Sequence, residues 1–350
     1  MKYRFDFRPY RRTFKQPLAT SHGLWEVREG IILRLIDRTG RAGFGEIAPL
    51  KWFGSESSEQ ALEFCGQLPS EISTDDIFAV PSELPACQFG FESAWEDVTS
   101  YLQVGEFRST QSIPFSGLLP SGKAALEGWK TLWSKGYRTF KWKIGIAPLA
   151  DELNIFYQLV KALSSEAKLR LDANGGLTFI EAVEWLKACE AIGEGGSQND
   201  QCSGIEFLEQ PLPASKFEQM LSLSNQYSTL LALDESVANL DQLKACYQQG
   251  WRGIFVIKPA IAGSPKLLRQ FCHQYQVDAV FSTVFETSIG KHFGLRLSTE
   301  LSQNNRAVGF GVAHWFANDD LLSEPETSAF QPHKPCKPSP EELWTHLSNS

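Results

Sequence analysis

Residues Tyr137 to Gly145 read YRTFKWKIG, and the rest of the chain falls into place around them. Tyr137, Thr139, Lys141 and Lys143 alternate with Arg138, Phe140, Trp142 and Ile144. A period of two is that of a β-strand, so Lys141 and Lys143 project from one face. Phe140, Trp142 and Ile144 occupy the other, suited to burial against helices. Two ammonium groups side by side repel each other. Two readings are open: the lysines line a site holding carboxylates, a metal ion or an anionic substrate, or they belong to an edge strand facing solvent. Crowding and desolvation also favour a neutral amine, the form a lysine base needs.

Outward from this strand, short apolar segments alternate with amphipathic ones. Strands are expected at Ile113–Gly117, Tyr137–Lys143, Leu169–Asp172, Gly204–Glu209, Leu230–Asp234, Gly253–Lys258, Ala279–Ser282 and Ala307–Gly309. Helical patterns separate them, at Ala124–Ser134, Phe179–Ala191, Leu240–Gln249 and Pro265–Tyr275. This rhythm implies a (β/α)-barrel or a doubly wound sheet. No G-x-G-x-x-G or G-x-x-x-x-G-K-[ST] opens a helix, which argues against dinucleotide or P-loop chemistry. Upstream, Tyr3–Arg8, Ile31–Ile36 and Ala42–Ile47 read as antiparallel strands, with TSHGL (Thr20–Leu24) as a loop. A helix capped from Ser55–Ser58 and another over Pro85–Tyr101 complete a small α+β domain, with a boundary near Arg108–Ser112. Gly193–Gly204 reads as an exposed connection. Beyond Ala317 the chain is rich in Pro, Ser and Glu, with a short terminal helix over Glu341–Leu347.

Composition narrows the function. Of 350 residues, 42% are hydrophobic and 21% charged, as in a globular protein. A formal charge of −8 and a pI near 5.4 argue against a nucleic-acid surface. Nothing is apolar enough to span a bilayer or serve as a leader, so a cytoplasmic enzyme is expected. The seven cysteines form no C-x-x-C pair and the six histidines show no metal spacing. The oligomeric state stays open.

The strand ends carry the chemistry. Lys143, Asp172, Glu209, Asp234 and Lys258 end five consecutive expected strands. In a parallel barrel those ends converge on the face where such folds place active sites. Three acids without His or Cys offer hard oxygen ligands, better matched to Mg²⁺ than to zinc or copper. Buried like charges at that density need a cation.

KWKIG, LRLDANGG, EFLEQPL, LALDES and VIKPA resemble, in order, the motifs of the enolase superfamily, in its muconate-lactonizing branch. GFGEIAPL (Gly43–Leu50) is similar to the capping-domain segment and FSTVFETSIG (Phe281–Gly290) to the seventh strand and loop. The resemblance implies an α/β fold: a modified (β/α)7β TIM-type barrel over residues 111–316, and an α+β capping domain over 1–110. A tail over 317–350 would return to complete the cap. It further implies Mg²⁺ (Mn²⁺ as a substitute) on Asp172, Glu209 and Asp234, with Asn174 and Glu235 orienting them. The implied reaction is dehydration of 2-succinyl-6-hydroxy-2,4-cyclohexadiene-1-carboxylate to 2-succinylbenzoate through an enediolate, on the route to menaquinone or phylloquinone. Racemisation of N-acylamino acids or epimerisation of dipeptides is the other reaction on this scaffold. Against it, Ala307–Ala313 (AVGFGVA) lacks the acids a dipeptide ammonium would need.

In the dehydration Lys143 acts as base and then as acid, and Lys258 stabilises the anion from the opposite face, partly by cation–π attraction. Lys141 holds down the pKa of Lys143 and contacts the carboxylate. Arg170, two residues before Asp172, either binds the succinyl carboxylate or pairs with a neighbouring barrel acid. Ser282 and Gly309 are candidates for the substrate's anionic tail. Trp25 either contacts the substrate ring or staples the lid to the barrel.

Overall fold

The computed structural model describes residues 1–20, 23–100, 112–194, 204–311, 315–316, 328–330 and 339–347. Ser21 and His22 of the expected TSHGL loop, most of the Arg108–Ser112 boundary, most of the Gly193–Gly204 connection and much of the tail lie outside them.

The N-terminal layer is a four-stranded antiparallel sheet in the order β3-β2-β1-β4, with β1 at Lys2–Thr20, β2 at Gly23–Ile36, β3 at Ala42–Ile47 and β4 at Glu71–Ser73. The first hairpin is far longer than the segment Tyr3–Arg8 suggests. Its pairing runs from Arg4↔Ile36 to Thr13↔Val27, slips between Thr13 and Leu18, and ends at Thr20↔Gly23. Past Arg8 the buried positions switch from Tyr3 and Phe5 on one face to Tyr10, Arg12 and Phe14 on the other. A buried arginine reads as polar and hides the alternation. Pro9 is tolerated because β4 pairs only with Lys2–Arg4, leaving that side of β1 as an edge. Helix α1 (Ser58–Gln67) starts from a capping box between Ser57 and Gln60. Helix α2 (Thr74–Phe78) follows, and α3 (Pro85–Ser100) lies against β3. That contact is so close that a Cβ on Gly45 would stand 2.0 Å from the Gly90 carbonyl oxygen, which accounts for the glycines of GFGE.

A two-residue strand β5 (Ile113–Pro114) leads into the barrel. The barrel then alternates β6 (Ser116–Leu118), α4 (Ala125–Ser134), β7 (Thr139–Lys143), α5 (Leu149–Ala162), β8 (Lys168–Asp172) and α6 (Phe179–Glu194). It continues as β9 (Gly204–Glu209), α7 (Phe217–Gln226), β10 (Leu231–Leu233), α8 (Leu240–Gln248) and β11 (Ile254–Ile257). The short α9 (Pro259–Ala262), α10 (Pro265–Tyr275), β12 (Ala279–Phe281) and α11 (Ser288–Leu301) complete it. Strands β6 to β12 form one parallel sheet in chain order. Val308 bridges Phe115 and Gly309 bridges Ser282, so this segment joins both edges and closes the ring as an eighth strand. The strands are largely buried because helices cover one face and the barrel core the other. On β7, Phe140 and Trp142 are wholly buried on the helix side, where Trp142 and Phe156 pack on Trp185.

The two layers are locked together. Glu46 of β3, fully buried, accepts hydrogen bonds from the Thr287 and Gly290 backbone N–H groups, the Thr287 hydroxyl and the Tyr10 hydroxyl. A carboxylate at the N-terminus of α11 satisfies its free amides and meets the positive end of its dipole. Beyond the barrel, β13 (Ala329–Phe330) pairs with β5, and the terminal helix α12 (Pro340–His346) returns to the cap. Leu343 and Trp344 pack with Tyr10, Ile32 and Phe44, and the Arg8 and Arg34 guanidinium groups stack on Trp344 at 4.0 and 4.3 Å.

Candidate active site

Strand register brings the expected residues to one end of the ring. Lys143 pairs with Asp172 across β7 and β8, and Asp172 with Glu209 across β8 and β9. Asp234 follows β10 directly and Lys258 follows β11. They surround a cavity of about 900 Å³, within the usual range for small-molecule sites. Lys141, Lys143, Asp172, Asn174, Asp234, Glu235, Lys258, Ser282 and Gly309 all reach its wall. Glu209, 2% exposed, lies just beneath.

The three lysines stand in different environments. Lys141 bridges Asp172 at 2.8 Å and Glu209 at 2.9 Å. Burial disfavours its charge, but Asp172, Glu209 and Asp234 outweigh that and raise its pKa above the ordinary lysine value. Its neighbours are acids, and they favour its ammonium form. Lys258 bonds to Asp234 and lies 3.9 Å from the centroid of the Phe53 ring. Lys143 has no hydrogen bond, ion pair or ring contact among the described residues, yet faces the same cavity. It is the amine left available.

The acids show what a cation would meet. Burial first, then Asp172, pushes Glu209 well above the carboxylate range, against the pull of Lys141. Burial and Asp234 do the same to Glu235. Asn174 donates its backbone N–H to Asp172 and its side-chain amide to Glu235, each at 3.1 Å. The other oxygen of Glu235 is buried without a hydrogen-bond partner. Among the described residues no three His, Cys, Asp or Glu side chains stand close enough to enclose an ion; Lys141 lies between Asp172 and Glu209, and Lys258 against Asp234. The donor chemistry nevertheless fits a hard divalent cation: three carboxylates from adjacent strand ends, a fourth with a free oxygen, and no soft ligand.

Arg170 does not reach the cavity. It is 1% exposed and bonds Glu206 at 2.7 Å, while Glu206 also holds Arg306 at 2.8 Å. Of its two expected roles, the pairing with a neighbouring acid is the one present. Arg170 is level with Lys141 in the sheet, but its guanidinium is turned to Glu206, three residues before the strand-end Glu209, and not to the acids at the rim. Ser282 and Gly309 lie side by side on the wall, where a Cβ on Gly309 would come 2.7 Å from the Ser282 hydroxyl.

Gln210, buried behind the wall, and Phe285, on it, carry little readable signal in the sequence. Gln210, fully buried at φ +37°, accepts from the Asp234 and Ser236 N–H groups and donates to Leu212 and the Ser236 hydroxyl. It ties the loops after β9 and β10 together. Phe285, at φ +63°, packs edge-on against Trp25 and Phe14, and Trp25 meets Trp52 at 4.8 Å. Trp25 is thus both cavity wall and staple. The one hint for Phe285 is the motif FSTVFETSIG, whose Glu286 accepts from Thr283 and Val284 and fixes the loop.

Residues 124–332 match the family model described as enolase C-terminal domain-like, and residues 9–98 that of the MenC N-terminal domain. An o-succinylbenzoate synthase of Thermosynechococcus vestitus is 39% identical over 316 residues, 89% of this chain and 93% of the relative. One from Aliivibrio fischeri is 31% identical over 270 residues, 75% and 76% of the two chains. The crystal structure of o-succinylbenzoate synthase from Thermosynechococcus elongatus BP-1, complexed with Mg in the active site, superposes with a TM-score of 0.82 at 36% identity, covering 98% and 99%. A dipeptide epimerase from Enterococcus faecalis shares the fold at a TM-score of 0.79 and 19% identity, covering 96% and 98%. Among the described residues no helix is long and apolar enough to cross a membrane.

Proposed function

The chain belongs to the o-succinylbenzoate synthase family of the enolase superfamily, and from that premise we propose that it dehydrates 2-succinyl-6-hydroxy-2,4-cyclohexadiene-1-carboxylate to 2-succinylbenzoate. The observation that carries the reading is the unequal state of the three lysines beside the acids. Lys141 and Lys258 are engaged; Lys143 is available. In this reading residues 1–110 form the lid, 111–316 the barrel, and 317–350 the returning tail.

Asp172, Glu209 and Asp234 would hold Mg²⁺, or Mn²⁺ in its place, and Asn174 and Glu235 would keep them oriented. When bound, such an ion supplies Lewis-acid stabilisation of the charge that develops on the substrate carboxylate as its α-proton leaves. Lys143 takes that proton. The C–H electron pair forms the new ring double bond, the neighbouring C–O bond breaks, and Lys143 returns the proton to the departing hydroxide, which leaves as water. Lys258 faces the ring from the other side and balances the negative charge. Lys141 braces Asp172 and Glu209. Ser282 and Gly309 border the space for the succinyl tail.

Racemisation of N-acylamino acids, or epimerisation of dipeptides, would need Lys143 and Lys258 as opposed free bases. Lys258 is tied to Asp234 and Phe53, which favours the dehydration. Incubation with the diene carboxylate and, separately, with N-succinyl amino acids in deuterated buffer tests this. Loss of water with aromatisation is expected; α-proton exchange of the amino acids without turnover of the diene would reject the reading.

A further inference from the structure

We propose that Phe53 of the lid is a positioning residue for Lys258, so that placement of this amine depends on the lid being docked; the proposal rests on the function assigned above. Lys258 has two partners, the Asp234 carboxylate and the face of the Phe53 ring at 3.9 Å. Its side chain is 11% exposed, so little water remains to solvate the ammonium. A ring face attracts a cation through its quadrupole, and more strongly when water is excluded. Asp234 is also a candidate metal ligand. A strongly hydrated divalent cation prefers carboxylate oxygen to an aromatic ring. Phe53 therefore keeps Lys258 at the wall whichever group Asp234 serves. Neither Lys141 nor Lys143 has a ring partner among the described residues.

The ring is delivered by a turn that is held on every side. Phe53 ends a single 3-10 turn, Lys51–Phe53. The Arg28 guanidinium donates to the Pro49 carbonyl at 2.8 Å, and the Leu50 N–H to the Ser55 hydroxyl at 2.6 Å. Gly54 closes the turn at φ +104°, a conformation suited to glycine. A Cβ there would stand 3.1 Å from Ala238 of the barrel, so the turn is seated directly on the rim. Trp52 packs edge-on against Trp25 of the hairpin. One short turn thus joins the hairpin, the rim and Lys258.

The test replaces Phe53 by Tyr, Trp and Leu, and by mono-, di- and trifluorophenylalanine, which keep the shape while weakening the ring quadrupole. The Tyr and Trp forms should keep kcat near the parent. Leu should lower it on the order of tenfold at an unchanged melting temperature. Across the fluorinated series kcat should fall stepwise, a trend that packing alone does not produce. A flat series, or a Leu form as active as the Tyr form, overturns the proposal. A second measurement needs no turnover: labelling by an amine-reactive reagent, mapped by peptide mass. In Phe53→Leu, Lys258 should label several-fold faster relative to Lys143; an unchanged ratio also overturns the proposal. If the parent fails to convert the diene, the function is wrong while the labelling ratio still judges the contact.

Discussion

Glu206→Gln should strand a buried arginine, and the structure sets the scale. Arg170 and Glu206 side chains are 2% and 5% exposed, 2.7 Å apart, with one Arg170 nitrogen already lacking a partner. Arg306 keeps Asp278 at 2.6 Å when Glu206 is neutralised; Arg170 keeps only the face of Phe207 at 4.8 Å. Removing one partner of a buried pair costs about 3–5 kcal/mol. Unfolding entropy of about 2.1 cal/mol/K per residue gives about 0.7 kcal/mol/K for a chain of this length. The melting temperature should therefore fall by about 4–7 °C, read by circular dichroism or differential scanning calorimetry. The double variant Arg170→Met, Glu206→Leu removes both charges and should recover most of the loss, since apolar replacement of a buried pair is often neutral. Its KM should stay within about twofold, because Arg170 does not line the cavity. Glu206→Gln melting within about 1 °C of the parent, or a double variant with KM raised tenfold or more, would refute the argument. The pH dependence has a definite sign. Burial raises the Glu206 pKa, but Arg170 and Arg306 lower it below the ordinary value overall. The pair's stabilisation is thus complete above the unfolded carboxylate pKa and lost as pH falls through the lower folded one.

Lys143→Ala should lower kcat by about 10²–10⁴, the usual worth of a positioned acid–base group, with Mg²⁺ affinity by titration calorimetry within a few-fold of the parent. Near-normal turnover would discard its role. Chelation with EDTA should stop the reaction and Mg²⁺ restore it; full activity after exhaustive chelation would reject the carboxylate site. Gln210→Ala releases the amide that joins the loops after β9 and β10, and should weaken Mg²⁺ binding by about 10–100-fold in calorimetry. An unchanged affinity would make Gln210 a fold residue only.

Much of the site was legible because it obeys local rules. Pleating puts Lys141 and Lys143 on one face of β7 whatever surrounds them, and strand ends in a parallel ring share one rim. The acids at Asp172, Glu209 and Asp234 were therefore placed together from spacing alone. The same rules could not see past a charged residue with a buried side chain. Arg12 concealed the length of the first hairpin, and Arg170 was offered to the substrate as readily as to Glu206.

By itself the sequence determined which residues crowd one end of the barrel, the family they belong to, and the chemistry their types allow. Only the tertiary structure decided how the three lysines divide their partners, which acid Arg170 meets, and that Phe53 of the N-terminal cap sits over Lys258. The physical reason is range: backbone period acts between neighbours in the chain, whereas these contacts join elements far apart in sequence, and the path of the folded chain alone brings them together.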